Sequence, residues 1–169
     1  MHTATAEEGD WSAPDHGLRA RLIVLPSLKD DPFYRIYIEL DNVDEVMGQK
    51  QIPFSPEKCS FKVTNEKGDE LKEPHDLYSY DGISPNWTPL SLPMGGTIKF
   101  RIDTRGLSCG DKKNTVVDLG IFRAWIIPQD GSNYFLSAKF TIPRDPHAHP
   151  IMDWHGTLDL PKVKIPAAP

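Results

Sequence analysis

The chain has 169 residues, a formal net charge of -5 and a pI near 5.6, with 16 Pro, 12 Gly and 2 Cys. The length suits one domain, and the acidic balance, with no basic run longer than Lys112-Lys113, excludes the basic stripe that a nucleic-acid partner needs. No apolar stretch approaches the ~18 residues of a membrane-spanning helix, while Leu, Ile, Val and Phe supply about a quarter of the chain, enough to build a core.

Residues 1–16 contain Glu7, Glu8 and Asp10 and lack the basic start and apolar run of a signal peptide. They are expected to form a flexible N-terminal segment. Two locations stay open: cytoplasmic as the chain is written, or secreted or periplasmic if a leader has been trimmed. Proline is nearly twice as frequent as usual and breaks helix interiors. The longest proline-free stretch, 94–127, is interrupted by five glycines, and no window sustains a helical apolar face.

Period-two alternation recurs instead. Leu18, Ala20, Leu22 and Val24 alternate with Arg19 and Arg21, and Ile36, Ile38 and Leu40 with Arg35, Tyr37 and Glu39. Phe61 and Val63 alternate with Lys62 and Thr64, and the run Asn65-Glu66-Lys67-Gly68 then reads as a hairpin turn. Leu92-Pro93-Met94-Gly95-Gly96 is a turn ahead of the strand carrying Ile98, Phe100 and Ile102. Phe122, Ala124 and Ile126 alternate less cleanly, because Trp125 and Ile127 are apolar too. Gln129-Asp130-Gly131-Ser132 is expected to close a hairpin onto Tyr134, Leu136, Ala138, Phe140 and Ile142. In the last run Trp154, Gly156, Leu158 and Leu160 share one parity and Val163 and Ile165 the other. The phase changes at Pro161, which predicts a β-bulge there on an edge strand. Seven to eight antiparallel strands with long Pro-rich loops predict an all-β sandwich over 17–165, followed by a frayed tail at 166–169.

Several of these runs resemble bacterial immunoglobulin-like domains. Phe61-Lys62-Val63-Thr64-Asn65-Glu66-Lys67-Gly68 resembles their F-x-V-x-D-x-x-G hairpin, and Ile38-Glu39-Leu40-Asp41-Asn42-Val43 their L-x-N-x-S strand end. The run from Leu90 to Phe100 is similar to an L-x-P-G-x-x-x-x-F segment, with Met94 separating Pro93 from Gly95. Gly131-Ser132-Asn133-Tyr134-Phe135-Leu136-Ser137-Ala138-Lys139-Phe140 resembles a G-x-Y-x-L-x-A-x-F closing strand. This order is similar to that of the bacterial intracellular proteinase inhibitor (BsuPI) family and of uncharacterised bacterial sandwich modules. The resemblance implies an immunoglobulin-like sandwich and an interaction role, with protease inhibition as its specific form.

Three groups of residues are candidates for chemistry. His147, His149, Asp153 and His155 fall within nine residues, and alternation would point His147 and His149 the same way toward a Zn or Cu ion, with His75 as a distant ligand. A solvated Pro-rich loop accounts for the same residues. Tyr78, Tyr80 and Trp87 form a candidate sugar-stacking platform, flanked by hydrogen-bonding Ser79, Asp81 and Asn86; Trp87 closing one end of the core is the alternative. Trp11, outside the alternating runs, and Trp154, at the beginning of one, are further exposed-aromatic candidates. Asp41, Asp44 and Glu45 offer hard oxygens for Ca²⁺ without EF-hand spacing, and a solvated turn explains them as well. A Cys59–Cys109 bridge is permitted by the even count, against one buried and one loop thiol. Hydrolase, zinc-protease and phosphate-loop motifs are absent, and Cys109 has no sequence-adjacent His to activate it. The expectation is a non-enzymatic protein that binds another protein through loops or an edge strand. A carbohydrate-binding module and a metal-binding protein are the alternatives, and no resident cofactor is otherwise implied.

Overall fold

An alternating strand buries every second side chain, so it needs a core on one side only. In the computed structural model this requirement is met by antiparallel sheets and no helix among the described residues, which are 5–28, 31–46, 48–54, 58–72, 89–103, 115–119, 124–144 and 153–167. The strands are β1 (Glu7–Glu8), β2 (Leu18–Leu25), β3 (Arg35–Asn42), β4 (Lys50–Ile52), β5 (Cys59–Asn65), β6 (Leu90–Leu92), β7 (Thr97–Arg101), β8 (Thr115–Asp118), β9 (Ala124–Ile127), β10 (Tyr134–Ile142) and β11 (Gly156–Lys164). Eleven described strands exceed the expected seven or eight, because β1, β4, β6 and β8 are two to four residues long and too short to show a period.

One sheet runs β1-β2-β3-β7 and another β11-β10-β5, with two-stranded pairs β4-β6 and β8-β9. Leu18, Ala20, Leu22 and Val24 of β2 and Ile36, Ile38 and Leu40 of β3 belong to the same buried cluster as Phe61 and Val63 of β5. Tyr134, Leu136, Ala138 and Phe140 of β10 and Leu158, Leu160 and Val163 of β11 complete it. Phe54 packs edge-on to Phe100 at 4.5 Å, and Phe140 stacks on Trp154 at 5.4 Å.

On the other face of the four-stranded sheet, charges pair across the strands. Arg19 meets Asp41 at 2.7 Å, and Arg21 meets both Glu39 at 2.6 Å and Glu8 at 2.8 Å. Trp11 lies against both arginines, 4.6 and 4.8 Å from their guanidinium carbons. The segment expected to be a flexible N-terminus is therefore held from Glu7 onward. Glu7 and Glu8 pair with Val24 and Ile23, and the Gly9, Ser12 and Asp15 amides donate to Leu22, Ala20 and Leu18 along the length of β2. Gly9 needs to be small, because a Cβ there would stand 3.2 Å from the Leu22 carbonyl and 3.3 Å from Val163. Pro166, expected in the frayed tail, is buried and its carbonyl accepts from Tyr34 Oη at 2.8 Å.

The bulge expected at Pro161 is present: Leu136 pairs with Val163 but Ala138 with Leu160, so β11 carries one extra residue on an edge of its sheet. The 65–68 turn closes as expected, with the Gly68 amide donating to Asn65 and the Leu71 amide to Val63. The 129–132 turn does not close a hairpin. Asp130 accepts from the Ser132 amide and from Tyr134 Oη, so the turn forms, but β9 pairs with β8 and β10 with β5 and β11. It carries the chain between sheets.

Inward and outward positions of β10 should respond differently to truncation. Leu136→Ala should cost about 2–5 kcal/mol of unfolding free energy, and Lys139→Ala, exposed in an open ion pair with Asp159, within about 0.5 kcal/mol. Urea denaturation of the two variants checks this.

Candidate functional site

At the end of the four-stranded sheet where Leu18 pairs with Asn42 and Asp41 with Thr97, four loops converge. They are 15–17, 42–46 with Gly48, 93–96 and 153–155. Asn42 organises two of them. It is fully buried, and its amide donates to the carbonyls of Gly48 (2.9 Å), Leu92 (3.3 Å) and Pro93 (3.1 Å) while its oxygen accepts from the Asp44 amide (3.2 Å). Its backbone bonds to Gly95 and Gly96 as well. Lys50, also buried, adds an ion pair to Asp44 at 2.8 Å. The Val43 amide donates to the Gly17 carbonyl at 2.8 Å, and Gly17 has φ +73° with no room for a Cβ beside Asp44.

These braced loops carry apolar tips. Val46 is 86% exposed and Met94 56% exposed, with Val43 at the margin. Both loops are tied to the same buried amide, so the tips are presented on a fixed base.

The 15–17 and 153–155 loops are joined through Asp15. Its carbonyl accepts the Trp154 indole N–H at 2.9 Å, and its carboxylate accepts the Thr157 amide at 2.7 Å and contacts His16 Nδ1 at 2.7 Å. His16 and His155 lie ring against ring, with centres 5.0 Å apart and planes inclined by 39°. Asp153 forms a parallel bridge with Gln51, and the Trp154 amide donates to the Gln51 carbonyl.

Of the candidate metal residues, Asp153 and His155 are thus at this end of the sheet, and His147 and His149 lie outside the described residues, as does His75. Among the described residues no group of three or more His, Cys, Asp or Glu is arranged to hold an ion. The platform Tyr78, Tyr80 and Trp87 also lies outside the described residues. The other two aromatics are corrected: Trp154 is buried against Phe140, and Trp11 is covered by Arg19 and Arg21. The acidic candidates are corrected as well, since Asp41 is matched by Arg19 and Asp44 by Lys50, so neither offers a bare oxygen cluster to Ca²⁺. His16 was not legible from sequence, because its neighbour is distant in the chain. The apolar tips Val46 and Met94 carried a signal only as apolar residues inside turn-rich runs.

Cys59 is a free buried thiol, and Cys109, its candidate bridge partner, lies outside the described residues. Burial pushes the Cys59 thiol up to about 12, so it is a core group rather than a nucleophile at neutral pH. Comparison with known protein families, with curated proteins and with solved structures returns no match.

Asn42→Ala should destabilise the fold by roughly 3 kcal/mol in urea titration, because it strips carbonyls in two loops of their buried donor. The Cys59 thiol gives stability a defined alkaline limit. The unfolded chain releases that proton near its ordinary value of 9.0 and the folded chain only near about 12. Between those limits the folded state binds more protons, so stability falls as pH rises. Urea midpoints at pH 8, 10 and 11 should decline less steeply in Cys59→Val.

Proposed function

We propose that this chain is a non-enzymatic interaction domain, an immunoglobulin-like β-sandwich that binds another protein through the loops at one end. The sandwich reading is supported by a single apolar cluster that draws members from the four-stranded and the three-stranded sheets. The binding reading rests on one observation above the others: Val46 and Met94 stand out into solvent on loops anchored to buried Asn42. Loops on a rigid base are where recognition residues usually sit, and a pre-ordered loop loses little entropy on docking. Methionine suits such a surface because its unbranched thioether adapts to the shape opposite. Protease inhibition is the form that the sequence resemblance favours, with these loops as the contact.

The test is affinity capture from an extract of the source organism with the wild-type chain and with Val46→Asp/Met94→Asp. Each substitution is at an exposed position and should leave stability within about 0.5 kcal/mol. A protein recovered by the wild type and lost at least about tenfold by the double variant is the expected result. Equal recovery by both chains would overturn the loop reading. Unchanged rates across a panel of serine proteases would remove the inhibitory form.

A further inference from the structure

We propose that His16 and His155 form a two-imidazole site for a divalent transition-metal ion of the zinc–copper class, each ligating through Nε2. The argument starts from the nitrogens that are already used. His16 Nδ1 faces an Asp15 carboxylate oxygen at 2.7 Å, and His155 Nδ1 faces the Asp153 carbonyl at 3.5 Å. Both oxygens only accept, so a hydrogen bond at either position is donated by Nδ1. In the neutral ring that leaves Nε2 as the lone-pair nitrogen on both histidines. A carboxylate or carbonyl behind Nδ1 is the arrangement that fixes the orientation of a metal-ligating histidine.

The spacing fits. Two imidazoles on one tetrahedral ion, with metal–nitrogen bonds of about 2.0–2.1 Å, have ring centres roughly 5 Å apart. The rings here are 5.0 Å apart and inclined rather than flat on one another. The supports are rigid: the second Asp15 oxygen holds the Thr157 amide, its carbonyl holds the Trp154 indole, and Trp154 is packed on Phe140. His16 is 59% exposed, so the site is open to solvent and water completes the coordination. Imidazole ligands select zinc, copper and nickel over magnesium and calcium. A bound ion would join the loop before β2 to the start of β11, so it would stabilise the folded chain.

The test is calorimetric titration of the full chain with Zn²⁺ alone, paired with thermal melting, and Mg²⁺ as the control. One Zn²⁺ per chain should bind saturably and raise the melting temperature, with no response to Mg²⁺. His16→Asn should weaken binding at least about tenfold, as removal of one of only two protein ligands requires. Asparagine tolerates the left-handed backbone at this position, φ +46°, so the variant keeps the fold. His155→Gln should match it; if that variant does not fold, His16→Asn decides alone. A chain in which His2, His75, His147 and His149 are all Gln should bind as the wild type does. Absence of saturable binding, full binding by His16→Asn, or loss of binding in the four-histidine variant would each overturn the site.

Discussion

The side chain of Asn42 is the interaction on which the arrangement of this protein's loops depends. A buried amide has two donors and an acceptor that must find partners, since leaving them unmet costs about 1–3 kcal/mol each. Asn42 finds them in Gly48, Leu92, Pro93 and Asp44, and this draws the loop after β3 and the turn before β7 onto the end of the sheet. An aspartate there would bring no donors, and a leucine would leave the same carbonyls unsatisfied. The geometry of Val46 and Met94 follows from an amide that they do not touch.

Alternation made most of the fold legible. It located β2, β3, β5, β7, β10 and β11, because each is long enough to show its period and has only one face on the core. It also located the β11 bulge, since an extra residue must invert the parity of everything after it. What it missed has physical causes. β1, β4 and β6 have two or three residues and no period to read. The 129–132 turn was legible as a turn, yet the strands flanking it belong to different sheets. Turn chemistry is local and strand pairing is not. The hold on the stretch from Glu7 to Trp11 was not legible for a related reason: these residues look solvated in sequence, and only distant partners give them a place, Val24 for Glu7, Arg21 for Glu8, and Arg19 and Arg21 for Trp11.

The candidate site was legible in part. Asp153 and His155 were selected for their residue types, and they do stand at the loop-bearing end. Their neighbour His16 comes from the opposite terminus, and a search by local spacing cannot reach it. The same end thus combines apolar tips braced by Asn42 with a histidine pair braced by Asp15. The two braces are separate hydrogen-bond systems that touch where the Val43 amide meets the Gly17 carbonyl.

Pro161 has an effect on what this chain avoids. An edge strand offers a row of amides and carbonyls that another chain can extend, and growth of that kind ends in fibrils. At Pro161 one amide hydrogen is missing, and the bulge beside it throws the next residues out of step with any straight incoming strand. The residue that announces itself in the sequence as a break in phase also leaves this strand, whose apolar Leu158, Leu160 and Val163 face the core, one donor short of a continuous template.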